Sequence, residues 1–120
     1  MKILYQGSPG AYSHLAAKEL YPNAEIVACK TFDECFRKAE EDKTLKIIIP
    51  ESNRITGNIG IEYLIFKHRL NIYAEYVKKI EHNLLALPGV KLKDVNNVYS
   101  HAQALSQCSE FIKKNNLNEN

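Results

Sequence analysis

The strongest constraint on the fold is an alternation of short apolar runs with amphipathic segments along the first part of the chain. Three apolar runs predict β-strands, and they read "KILYQG", "AEIVACK" and "LKIII". Each is followed by a segment with helical spacing of apolar residues: "SPGAYSHLAAKEL", "TFDECFRKAEEDK" and "IGIEYLIFKHR". A strand–helix order repeated three times favours a parallel sheet with covering helices. The predicted fold class is α/β, and the isoleucines of the third strand predict burial on both of its faces.

The second helix has the best-defined predicted start. Glu34 follows Thr31 by three residues, which is the pattern of a capping box. Cys35 falls on the apolar face of the same helix, next to Phe36. We therefore expect a helix that begins beside Thr31 and buries Cys35 as a free thiol.

A long run without glycine or proline follows the third helix. This run, "NIYAEYVKKIEHNLLAL", is rich in β-branched and aromatic residues and ends at Pro88. We interpret it as a strand that leaves one lobe and enters another. The predicted organisation is a first α/β lobe over residues 1–78 and an incomplete second lobe over residues 79–120.

The last part of the chain predicts one strand, "NVYSH", and one helix, "HAQALSQCSEFIKKNN", before a polar end, "NNLNEN", that we expect to be frayed. Ser100, Gln103 and Gln107 share one stripe of this helix at spacing i, i+3, i+7. A polar stripe is usually the solvated side of a helix. Uncharged side chains, and the position of Ser100 at the helix N-terminus, instead favour contact with an anion.

Composition narrows the classes of partner and compartment. The net charge is only +2, from 16 basic and 14 acidic residues, and this provides no electrostatic footprint for nucleic acid. No apolar run reaches the length of a membrane span, and the first 20 residues lack the apolar core of a signal peptide. The three cysteines and four histidines do not follow metal-ligand spacings. We expect a cytoplasmic protein with no metal, no nucleic-acid partner and no membrane contact.

Polar segments follow three of the predicted strands, and they read "QGSPGAYS", "PESNRITGN" and "YSHAQ". Ligands of open parallel sheets bind beyond the carboxyl ends of the strands. One such segment alone is better explained by turn and helix-capping residues. Three at the same end of the strands favour a binding site.

Several segments together resemble one enzyme family. They are "YQGSPGAYSHLAAKELYP", "CKTFDECFRKAE", the run Pro50–Gly57, "HNLLALPGVKL" and "VYSHAQALSQC". Their order and spacing are similar to those of prephenate dehydratase, so the chain is identified as a member of that family. The resemblance implies a two-lobed architecture of the periplasmic-binding type II kind, with the second lobe incomplete and the active site between the lobes. It also implies a lyase of phenylalanine biosynthesis that converts prephenate to phenylpyruvate without a cofactor, and a homo-oligomer for the full-length enzyme.

The resemblance also implies site residues. Those expected to be catalytic are Asn53, Ser100 and Gln107, and those expected to bind substrate are Tyr12, Ser13, Ser52, Arg54 and His101. For Tyr12 and Ser13, core contact and helix capping are equally good explanations. Two positions depart from the family motif, because Ser52 stands where the family has glutamate and Arg54 where it has serine. The guanidinium of Arg54 is able to bind a carboxylate through two hydrogen bonds.

Two parts of the family pattern are absent from these 120 residues, namely the Thr-Arg-Phe segment and the regulatory ACT domain. We therefore expect the front part of a longer enzyme, with little activity of its own. The alternative is a noncatalytic module of the same fold that binds a small acid. The sequence does not distinguish prephenate from arogenate as substrate.

Overall fold

The computed structural model describes residues 1–53, 57, 58 and 60–120, and at 52, 53, 57 and 58 it describes the backbone alone. The described chain divides into two compact units, Met1–Lys79 and Ile80–Asn120. Strands and helices alternate as the sequence predicts, and the α/β fold class is confirmed. The assignment of the two units to the lobes of one larger domain stays a prediction.

The elements of the first unit are β1 (Lys2–Gln6), α1 (Tyr12–Leu20), β2 (Glu25–Cys29), α2 (Phe32–Glu41), β3 (Leu45–Ile48), β4 (Ser52–Asn53), β5 (Gly57–Asn58) and α3 (Glu62–Lys67). Those of the second unit are a 3-10 turn (Leu92–Asp94), β6 (Asn97–Val98), α4 (Ala102–Gln107), α5 (Ser109–Lys114) and β7 (Asn118–Glu119).

The main sheet has three parallel strands in the order β2-β1-β3. The hydrophobic core lies along its central strand, β1, where Ile3, Leu4 and Tyr5 are almost completely buried. The third strand is half-buried along its whole length, so the expected burial on both faces is wrong for β3. The physical reason is that β3 lies at an edge of the sheet within the described residues, where it pairs with β1 on one side only.

Helices cover the sheet through small and aromatic side chains. The first helix buries Ala16 and Ala17, whose short side chains bring α1 close to the sheet. The second helix buries Cys35 and Phe36. Cys35 packs in one cluster with Cys29 and the central strand, and burial raises the pKa of its thiol well above the usual range. The structure therefore agrees with a packing role for these thiols.

The predicted start of the second helix is confirmed. The hydroxyl of Thr31 accepts a hydrogen bond of 3.1 Å from the backbone N–H of Glu34. The carboxylate of Glu34 in turn accepts a bond of 2.8 Å from the backbone N–H of Lys30. These two bonds satisfy N–H groups that have no partner inside the helix, which fixes where α2 begins.

The third helix is attached to the second through a buried histidine. Nδ1 of His68 lies 2.7 Å from Glu40 Oε2, and its Nε2 lies 3.2 Å from Asp33 Oδ1. Ionised carboxylates only accept hydrogen bonds, so both contacts are hydrogen bonds only when the ring is protonated on both nitrogens. The hydrogen bond to Glu40 raises the pKa of His68. Lys67, also on the α3 side, forms an ion pair of 3.1 Å with Asp33.

The long run after the third helix is neither helix nor strand over residues 71–87. The expected strand is wrong at this point, because no described strand lies beside it to accept and donate ladder bonds. Its first part is attached to the first unit through side chains. Tyr76 and Lys78 both donate to the carboxylate of Glu19, and the hydroxyls of Tyr73 and Tyr21 lie 3.4 Å apart.

The second unit has a small core of Val98, Ile112 and Leu117. The single helix expected here is broken at Cys108 into α4 and α5. The expected frayed end is wrong, because β7 pairs in parallel with β6. Burial of Leu117, immediately before β7, explains why this polar end is held in place.

We expect the unfolding free energy of the chain to depend on the charge of His68. Folding raises the pKa of this ring, so the folded chain binds the proton more tightly than the unfolded chain. The stabilisation is therefore complete below the ordinary value of 6.5 and is lost as pH rises through the raised value. Replacing His68 with Gln should cost about 1.5–3 kcal/mol at pH 6 and remove this pH dependence.

Urea unfolding followed by circular dichroism between pH 5.5 and 9 measures both effects. Lys67→Gln is the matched control, since it removes an exposed ion pair to Asp33 and should cost less than about 1 kcal/mol. The control should keep the decline of stability at rising pH. An equal decline in the His68→Gln variant would assign the pH dependence to another group.

Candidate functional site

The edge of the main sheet where its parallel strands end is the best-built candidate for a site. In the order β2-β1-β3, the chain passes from β1 to β2 on one side of β1, and then crosses to β3 on the other side. Right-handed crossovers then place the connecting helices on opposite faces of the sheet. This arrangement opens a crevice between the carboxyl ends of β1 and β3, where ligands of such sheets bind. Two of the predicted polar segments start at these two strand ends.

The segment after β1 is shaped by two glycines in left-handed backbone conformations. Gly7 has φ +129°, and its N–H donates a bond of 3.1 Å to the carbonyl of Cys29. Gly10 has φ +92°, and its N–H donates a bond of 2.9 Å to Nδ1 of His14. The ring of His14 stacks on Tyr5 of the central strand, with 5.2 Å between ring centroids. The loop is therefore fixed to the sheet at both ends.

This loop places Tyr12 and Ser13 in the first turn of α1, where both are half-buried. Within the described residues, Ala11 at the start of this helix makes no side-chain cap hydrogen bond. Helix N-termini favour anions, since the backbone N–H groups point outward there. The position suits substrate contact, but the roles of Tyr12 and Ser13 stay predictions.

The segment after β3 forms a short antiparallel pair. Ser52 of β4 lies opposite Asn58 of β5, and Asn53 lies opposite Gly57. Only the backbone is described at Ser52 and Asn53, and Arg54 lies outside the described residues. The catalytic role of Asn53 and the binding roles of Ser52 and Arg54 therefore stay predictions.

In the second unit, a histidine caps the helix that carries Gln107. α4 begins at Ala102, and Nδ1 of His101 accepts a bond of 3.2 Å from the backbone N–H of Gln103. Ser100 is exposed and precedes the cap. Ser100 therefore lies at the N-terminal end of α4, one residue before the cap, and its role in the site stays a prediction. A helix of six residues also provides only a weak dipole for an anion.

The last residue of α4, Gln107, is half-buried and has a partner that sequence reasoning missed. Its Oε1 accepts a hydrogen bond from Nε2 of His82, at 2.5 Å. One signal for this contact was present in the sequence. His82 opens "HNLLALPGVKL", a segment that belongs to the family resemblance but to which no role was assigned.

The predicted site residues therefore fall into two groups. Tyr12, Ser13, Ser52 and Asn53 lie in the first unit, after β1 and β3. Ser100, His101 and Gln107 lie in the second unit, before, at and along α4. Each group thus belongs to one unit of the chain.

Three other kinds of feature could mark a site in the described part of the chain: metal-binding clusters, membrane-spanning helices and surface depressions. The described part contains no group of three or more His, Cys, Asp or Glu side chains that could hold a metal ion. None of its helices has the length and apolar character needed to cross a bilayer. An open depression of about 510 Å³ lies beside the 3-10 turn and the end of α5, and none of the predicted site residues lines it.

Comparison with known proteins identifies the family. A family model described as prephenate dehydratase matches residues 3–119. The chain belongs to the prephenate dehydratase family. The segments that suggested the resemblance all lie within the matched residues.

Two relatives are similar to this chain over almost its whole length. Arogenate dehydratase 1 of Petunia hybrida is 41% identical over 119 residues, which are 98% of this chain and 28% of that protein. Arogenate dehydratase/prephenate dehydratase 1, chloroplastic, of Arabidopsis thaliana is 42% identical over 118 residues, 98% of this chain and 30% of that protein. The chain thus spans less than a third of the length of these relatives.

Solved structures share the fold over the whole chain. A structure described as GqqA, a novel type of quorum quenching acylase, has a TM-score of 0.73 and 27% identity, and the chain covers 44% of it. The prephenate dehydratase of Staphylococcus aureus subsp. aureus Mu50 has a TM-score of 0.70 and 21% identity, and the chain covers 47% of it. The fold of the chain is therefore shared with these two solved structures.

We expect Gly7→Ala to disturb the loop that carries Tyr12 and Ser13. The left-handed backbone at Gly7 is strained for any residue with a Cβ, and the added carbon would lie 3.4 Å from the side chain of Ala11. The expected loss of stability is about 1–2 kcal/mol. Chemical denaturation measures it, with the exposed neighbour Ser8→Ala as control at less than about 0.5 kcal/mol. An unchanged midpoint for Gly7→Ala would contradict the conformational argument.

Proposed function

We propose that the protein carrying this chain is a dehydratase that removes water and carbon dioxide from prephenate or arogenate. The observation that supports this most strongly is the family match over residues 3–119. Relatives at 41% and 42% identity are named as arogenate dehydratases or as dehydratases of both substrates. The sequence-based choice of prephenate is narrower than this, and it forms part of the proposal.

The reaction defines what the site has to do. The ring carboxylate leaves as carbon dioxide, and the electron pair of the broken C–C bond enters the ring. The C–O bond to the ring hydroxyl breaks, and the hydroxyl takes up a proton and leaves as water. Formation of the aromatic ring drives the reaction. The protein therefore has to hold two carboxylates, hydrogen-bond the leaving hydroxyl and exclude water from the carboxylate that departs.

Neutral donors suit these tasks, and the proposed roles follow from them. Asn53 and Gln107 orient the substrate through amide hydrogen bonds, and Ser100 helps to bind a carboxylate. The first turn of α1, with Tyr12 and Ser13, offers backbone N–H groups to an anionic group of the substrate.

The departures from the family motif lie in the first unit. Arg54 supplies a cation for a substrate carboxylate where the family has serine, and Ser52 contributes a hydroxyl where the family has glutamate. His101 lies between Ser100 and α4, where a substrate held by Ser100 would meet its ring.

The remaining expectations about the complete protein are part of the proposal too. They are a homo-oligomeric full-length enzyme, no organic cofactor and a cytoplasmic location. The Arabidopsis relative, by contrast, is named as chloroplastic.

We expect Gln107→Ala to lower kcat of the complete gene product about a hundredfold, as the loss of a preorganised donor at a reacting group does. Gln107→Glu should be similarly slow, because the carboxylate keeps the acceptor but lacks the amide N–H donors. Asn115→Ala is the control, since its side chain bonds only the carbonyl of Phe111 in the described contacts. Appearance of the keto-acid or amino-acid product from prephenate or arogenate follows the rate.

Three outcomes decide the proposal. Turnover of either substrate, lost on changing Gln107, supports it. Binding of a small dicarboxylate without turnover by the complete gene product would favour the noncatalytic module. Full activity of residues 1–120 alone would contradict the expectation that this part has little activity of its own.

A further inference from the structure

The hydrogen bond between His82 and Gln107 joins two distant parts of the second unit. His82 is exposed and lies in the irregular run before the 3-10 turn, whereas Gln107 ends α4. The contact of 2.5 Å runs from Nε2 of the imidazole to Oε1 of the amide. Because a carbonyl oxygen only accepts, the ring nitrogen carries the hydrogen and donates it.

This contact fixes which way the amide of Gln107 faces. A glutamine side chain without a partner rotates about its last bond, and its oxygen and nitrogen exchange places. Once the oxygen is held by His82, the two N–H groups face away from the imidazole. A donor that is oriented before the substrate arrives needs less reorganisation during the reaction.

We propose that His82 is a positioning residue, which holds the amide of Gln107 so that its N–H groups face the substrate. The inference rests on the proposed function, because it needs Gln107 to act on prephenate or arogenate. His82 acts through Gln107 and has no contact of its own with the reacting atoms. Only the N–H donor is required of it, so a neutral side chain with a donor at the same place should replace it.

Three substitutions at His82 separate this role from a general structural one. The amide nitrogen of a glutamine reaches about as far as Nε2 of histidine, whereas that of asparagine ends near the place of Nδ1. His82→Gln should therefore keep the bond to Gln107, and His82→Asn and His82→Phe should lose it. The variants are made in the complete gene product, and kcat and KM are measured for both substrates.

We expect His82→Gln to stay within about threefold of the unchanged protein in kcat. His82→Asn and His82→Phe should fall about tenfold, the loss expected for one hydrogen bond. KM should change less than kcat, since the substrate still has its other contacts. In the double variants with Gln107→Ala, changes at His82 should have no further effect.

A spectroscopic readout on residues 1–120 tests the contact without turnover. The side-chain amide signals of Gln107 in 15N-labelled chain should shift in His82→Phe and His82→Asn but stay close to the original in His82→Gln. Equal kcat for all three variants, or equal loss in all three, would overturn the inference while Gln107→Ala could still support the function. The inference would also be overturned if the amide signals of Gln107 did not shift in any His82 variant. No turnover of either substrate by the unchanged gene product, with the amide shifts as expected, would instead reject the proposed function, and the positioning role of His82 in that reaction with it.

Discussion

Burial of the central strand β1 is the constraint on which the rest of the first unit depends. Ile3, Leu4 and Tyr5 are sealed from solvent only when β2 and β3 pair on both edges and helices cover both faces. The same arrangement brings the ends of β1 and β3 side by side. The position of the candidate site, beyond the carboxyl ends of β1 and β3, is thus a consequence of burying one apolar strand.

Local patterns in the sequence predicted the first unit well. The bond from Glu34 N–H to Thr31 is made between residues three apart, so the sequence contains all the information it needs. Periodicity served less well for α1, where Ala16 and Ala17 are buried while the larger Leu15 is more than a third exposed. Packing against a sheet selected small side chains there, and this depends on the neighbour and not on the pattern.

Contacts between distant residues were beyond prediction from the sequence. The imidazole of His68 contacts the carboxylates of Glu40 and Asp33 in α2, which are 28 and 35 residues away in the sequence. No spacing rule relates residues so far apart. The two-residue strands β6 and β7 are too short to show an alternating pattern, so their pairing was not foreseen. In the candidate site, the residue types follow from sequence motifs, whereas His82 and Gln107 are 25 residues apart and meet only in the folded chain.

The parallel order of the main sheet also has a consequence for how the chain is synthesised. β1 leaves the ribosome before either neighbour, and its partner Leu45 follows only after two helices and another strand. At about 5–20 residues per second, the interval is on the order of seconds. The edge of β1 that pairs with β3 stays without its partner strand throughout this interval.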